Sequence, residues 1–150
     1  MTDFINAFND GQGKAEQSEK NTTEIGATIE QLSEQLNAET EGKLRFEIQR
    51  TYESPNIFSG NILSGRYYRA IFAVNPIAGE KQELAEFSTA EDGYPCTLSW
   101  RSLKYSCTEK SELETALAAM LCDTRNAKAI RGVINAVAKP AEPNEEEAGD

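Results

Sequence analysis

Lys43 to Tyr52 reads KLRFEIQRTY. Leu44, Phe46 and Ile48 fall on one parity; Lys43, Arg45, Glu47 and Gln49 fall on the other. Successive side chains of an extended chain point to opposite faces. This alternation therefore predicts a strand with one buried and one solvated face. A half-solvated strand belongs to an antiparallel sheet covered on one side, and the flanking sequence fits that reading. Arg66 to Val74, RYYRAIFAV, is a second strand. Gln82 to Ser88 is a weaker third, and Cys96 to Trp100 alternates again, with Cys96, Leu98 and Trp100 on one side.

The connections carry the expected turn chemistry. Asn75, Pro76 and Gly79 mark one turn, and Glu91-Asp92-Gly93-Tyr94-Pro95 marks another. Glu53 to Gly65 is a longer connection holding Pro55, Asn56, Gly60 and Asn61, with room for a short strand at Ile57–Phe58 or Ile62–Leu63. Four strands joined this way read as an antiparallel meander.

Outside the strands the apolar period changes from two to 3.6. Ile25, Ile29, Leu32 and Leu36 recur at steps of four, three and four. They predict an amphipathic helix opening at Asn21, with Glu24 at capping-box spacing and Gly42 as terminator. Leu113, Leu117, Met120 and Leu121 form a second helical face. Asp123–Thr124 breaks and recaps the chain, and Ala127, Ile130, Val133, Ile134 and Val137 form a third helix before Pro140. The expected fold is α+β: an N-terminal helix, a four-stranded antiparallel meander, and two C-terminal helices packed on one face of the sheet.

Both flanks read differently from this domain at 21–139. Within 1–20, Thr2 or Asp3 caps a short apolar turn of Phe4, Ile5 and Phe8. The following NDGQGKAEQSEK, Asn9 to Lys20, has Ala15 as its one apolar residue and reads as a flexible linker. Residues 140–150, PAEPNEEEAGD, read as a disordered acidic tail.

Composition excludes whole classes of chemistry. The chain has 150 residues, enough for one domain with a modest core. It has no histidine, which removes Ser-His-Asp and Cys-His catalysis and imidazole zinc sites together. Cys96, Cys107 and Cys122 include no CxxC pair. They read as thiols of a reducing cytoplasm. Cys107 stands apart because a thiolate at a helix start is stabilised by free amides there. No apolar run approaches the roughly 20 residues of a bilayer span. The opening MTDFINAFND lacks the basic start and long apolar stretch of a signal peptide. Within 21–139, Glu83, Glu86, Glu91 and Asp92 gather in one stretch, but they follow no calcium-loop pattern. No catalytic residue, metal site or cofactor is expected.

The net charge is −10, unevenly spread. Asn21 to Gly42 has five acids and no base, whereas Lys43 to Arg69 has five bases against two acids. Missing catalytic machinery, surface acidity and an apolar N-terminal turn lead to one expectation. The chain is a small acidic non-enzymatic protein-binding domain: an inhibitor, immunity-like factor, chaperone or adaptor. Phe4, Ile5 and Phe8 are its candidate contacts, and a basic protein or a second copy of the chain is the candidate partner. The alternative is single-stranded nucleic-acid binding through Arg66, Tyr67, Tyr68, Arg69, Trp100, Arg101 and Lys104. In those residues rings that stack on bases interleave with cations that follow phosphates.

Overall fold

The computed structural model describes residues 3–53 and 65–138. It shows an α+β domain: helix α1 (Phe4–Glu39), strands β1 (Arg45–Glu53), β2 (Arg66–Asn75), β3 (Glu80–Ala90), β4 (Gly93–Trp100) and β5 (Leu103–Cys107), then helices α2 (Lys110–Cys122) and α3 (Thr124–Ile134). The sheet is antiparallel in the order β1-β2-β3-β4-β5, so each strand pairs with its neighbour in sequence.

The sheet has five strands where the sequence predicts four. The extra strand is β5, which pairs Cys107 with Cys96, Tyr105 with Leu98 and Leu103 with Trp100. Its hairpin turns at Arg101–Ser102, and Arg101 takes a positive φ of 55°. Such a turn usually carries Gly or Asn, so it gave no composition signal. The suggested short strands at Ile57–Phe58 and Ile62–Leu63 lie outside the described residues, as does the tail at 140–150.

Helix α1 is the larger correction. Residues 9–20 are helical, not a linker, and α1 runs unbroken for 36 residues, about 54 Å. Its cap is Asp3, whose Oδ1 accepts from the backbone N–H groups of Ile5 and Asn6, both at 3.1 Å. Asn21 starts no helix. Its amide donates to the Asp92 carbonyl at 2.9 Å.

The core forms between the sheet and the helices. Ile25 and Ile29 of α1 join Phe46, Ile71, Phe87, Leu98, Leu113, Met120 and Val133 in one buried cluster. Helix α1 packs on β1 and β4, α2 on β5 and β4, and α3 on β2 and β3. Buried polar groups fix these contacts. Asn75 donates to the Val133 carbonyl at 2.9 Å and accepts from the N–H groups of Ile77 and Ala78 at 3.0 Å. One side chain thus joins the β2–β3 turn to α3. Asn126 donates to the Met120 carbonyl at 3.1 Å across the α2–α3 junction.

Two anchors set the course of α1. Near its C-terminal end, the buried Ser33 hydroxyl accepts from the Phe46 N–H at 2.9 Å and lies 3.2 Å from the Phe46 carbonyl, to which it donates. Asn37 donates to the Leu44 carbonyl at 3.3 Å. Nearer its N-terminus, Ser18 donates to the Glu91 carbonyl at 3.0 Å, beside the bond from Asn21 to Asp92. Gly93 permits that second approach. It has φ of +90°, and a Cβ there would lie 2.8 Å from the Asn21 Cβ.

Phe46→Ala is expected to cost about 3–5 kcal/mol in urea unfolding, as large core truncations do. Ser33→Ala, which leaves the Phe46 backbone groups buried without their partner, is expected to cost about 1–3 kcal/mol. Removing residues 1–13 is expected to leave the unfolding midpoint unchanged.

Candidate functional site

Two surfaces stand out. The first is the start of α1. Phe4 to Gln17 are exposed at every position, and Ser18 makes the first hydrogen bond from α1 to another element. Fourteen residues therefore project from the domain as a helical arm about 21 Å long. Near its tip, Phe4, Ile5 and Phe8 are 75%, 71% and 61% exposed. Asp3 and Asp10 flank them, and the first base of the arm is Lys14.

The second surface is a corner of the sheet. On β1 the face of Phe46 and Ile48 continues through Arg50 and Tyr52. The register sets Arg50 opposite Arg69 and Tyr52 opposite Tyr67 on β2. These four side chains lie on the helix-bearing face, yet Tyr67 is 64% and Tyr52 47% exposed. The course of α1 accounts for this. The helix crosses diagonally from the start of β1 to the β3–β4 hairpin, so among the described residues no helix lies over the end of β1 and the start of β2. The Tyr52 and Tyr67 rings lie 4.8 Å apart, and the Arg50 guanidinium sits 4.5 Å from the Tyr67 ring centre. Arg69 stands over the Phe87 ring at 5.4 Å and donates to Thr89 at 3.2 Å. Among the described residues neither Arg50 nor Arg69 forms an ion pair with an acid.

The seven aromatic and basic residues named from sequence do not form one surface. Tyr67 and Arg69 belong to the bare corner, whereas Arg66 and Tyr68 project from the opposite face. There Arg66 pairs with Glu86 at 2.6 Å and Glu53 at 2.8 Å, and the guanidinium is held further protonated by Glu86 first and Glu53 second. Tyr68 donates to Glu83 at 2.7 Å, and its hydroxyl is pushed up to about 12 by partial burial and by that bond. Trp100 is buried, stacked on Tyr105 with ring centres 5.1 Å apart. Arg101 is ion-paired to Asp123. Lys104 is exposed on β5, with the parity of the solvated face. Sequence reasoning missed Arg50 and Tyr52, although their parity with Phe46 and Ile48 was readable.

The cysteines are ordinary thiols. Cys96 and Cys107 are buried register partners on β4 and β5. Burial pushes Cys96 up to about 12 and also raises Cys107, so Cys107 is no activated thiolate despite its place before α2. Cys122, at the end of α2, is exposed. Among the described residues no three acidic or thiol side chains gather as a metal site. No described helix is long and apolar enough to cross a membrane. No protein family, curated protein or solved structure matches the chain.

Maleimide at neutral pH is expected to modify Cys122 alone in the folded protein, with Cys96 and Cys107 reacting only after denaturation. Asp123 gives a pH test. Its carboxyl is held below the usual range, first by the Asn126 backbone N–H and then by Arg101. A depressed native pKa stabilises above the unfolded value, about 4, and is lost as pH falls through the native one. The stability gap between the wild type and Asp123→Ala should therefore be open at neutral pH and close in acid.

Proposed function

We propose that this chain is a non-enzymatic protein-binding module whose contact element is the helical arm of α1. The observation that carries this reading is the projection of Phe4, Ile5 and Phe8 on a helical arm that, among the described residues, packs on nothing in its own domain. Fourteen helical residues with two glycines are marginal in water by themselves. A helix with an exposed apolar tip gains most when that tip is covered. An inhibitor, immunity-like factor, chaperone or adaptor acts through such a surface, without catalytic groups. The three unpaired thiols support a cytoplasmic setting.

Single-stranded nucleic acid is the weaker reading. Its seven candidate residues divide between two faces, a buried ring and an ion-paired turn, and Arg66 is neutralised by two carboxylates.

Replacing Phe8 with a photo-crosslinking phenylalanine analogue in the cell that makes the chain tests the proposal. A discrete protein adduct is expected, and it should disappear in Phe4→Asp/Phe8→Asp. An equal adduct from an analogue at exposed Lys104, or no adduct at Phe8, would sink the assignment.

A further inference from the structure

Among the described residues the arm is a helix without a sheet beneath it, and the corner is a sheet without a helix above it. Building on the proposed role of the arm, we infer that they complete each other between two copies of the chain. The arm of each copy lies over the Arg50–Tyr52–Tyr67–Arg69 corner of the other, in a two-fold symmetric dimer.

Three observations support this occupant. The first is position. The end of β1, the start of β2 and the β3–β4 hairpin lie at the same end of the sheet. The arm leaves the domain over that hairpin. Hairpin strand β4 and edge strand β1 are three strand spacings apart, roughly 14 Å. Packed helices lie about 8–10 Å apart. A second arm running antiparallel beside α1, on its β1 side, therefore lies over the β1–β2 corner. With about 21 Å of free length, its tip reaches the rings there.

The second observation is chemistry. The tip offers Phe4, Ile5 and Phe8 between Asp3 and Asp10. The corner offers Tyr52 and Tyr67 between Arg50 and Arg69, and these arginines are not ion-paired among the described residues. Apolar groups meet rings, and acids meet cations. Because one chain carries both halves, a two-fold axis satisfies both contacts at once.

The third is geometry within one chain. The helix is unbroken from Phe4 to Glu39 and is fastened to the hairpin at Ser18 and Asn21. The arm therefore points away from its own corner and does not reach it.

The test uses the full chain in sedimentation velocity from low to high micromolar concentration. A monomer–dimer equilibrium is expected. Phe8→Asp and Arg69→Glu, both at exposed positions, should each weaken it at least roughly tenfold. Asp3→Lys/Asp10→Lys should also weaken it. Combining that pair with Arg50→Glu/Arg69→Glu should restore association, which a folding defect would not do. In a Cys122→Ser background, Phe8→Cys with Tyr67→Cys should oxidise to a covalent dimer. A monomer at every concentration overturns the inference. So does a dimer indifferent to the charge swap, or a bond formed within one chain. A monomeric chain that still gives the Phe8 adduct to a different protein removes this inference alone. Loss of both results removes the arm as a contact element as well.

Discussion

The structure depends on how α1 is fastened across the sheet. Strand β1 is an edge, and an edge leaves backbone groups without strand partners. The Ser33 hydroxyl meets both the N–H and the carbonyl of Phe46, and Asn37 meets the carbonyl of Leu44. A helix side chain thus does the work of a missing strand at one residue. The second fastening, at the β3–β4 hairpin, works through Ser18 and Asn21 against Glu91 and Asp92. Two fixed points on a straight helix determine its whole line. Among the described residues that line leaves the arm in solvent beyond the hairpin and no helix over the β1–β2 corner beside it. Both candidate surfaces follow from one packing choice.

Charge follows the same division. The solvated sheet face contains its own counterions: Arg66 sits between Glu53 and Glu86, Tyr68 is bonded to Glu83, and Lys81 reaches Gln49 and the Phe72 ring. Exposed pairs of this kind add little stability. They do remove Arg66 from the cations available to a ligand. The corner arginines are held over rings instead, and a guanidinium over an aromatic face keeps its charge available to an incoming carboxylate. The net charge of −10 therefore hides a local cationic surface on the helix-bearing side.

How much of this was legible follows from the length and regularity of each pattern. Strand β1 was readable because the alternation from Lys43 to Gln49 leaves one assignment, and β2 because Arg66 to Val74 is an unbroken run dominated by aromatic and β-branched residues. Strand β5 was not, because five residues after a turn without Gly, Pro or Asn carry no comparable signal. The stretch from Asn9 to Lys20 reads as a linker because Gly11 and Gly13 each cost about 1 kcal/mol against Ala in a helix and no apolar stripe offsets them. It is helical because the fastened segment from Ser18 onward supplies the nucleus, and adding turns to an existing helix avoids the separate cost of nucleation. The exposed apolar tip was legible, since Phe4, Ile5 and Phe8 had no apolar neighbours to join. The corner was not. Arg50 and Tyr52 carry the parity of the buried face, but parity does not reveal where a covering helix stops.

The arm and the corner share one physical property: neither contributes to the core. The buried cluster draws on α1 only from Ile25 onward, and on β1 only up to Ile48. Residues that do not stabilise the fold are free to vary without unfolding it. Retaining two phenylalanines and an isoleucine in water nevertheless exposes the chain to nonspecific association. A surface with that cost and no folding benefit is what supports the proposed contact with something outside the domain. The same independence keeps tests of binding clear of tests of folding. A charge placed at Phe8 changes what the surface meets and leaves the cluster around Ile71, Leu98 and Met120 as it was, whereas Arg69 lies over Phe87 and is therefore read through the charge-swap rescue.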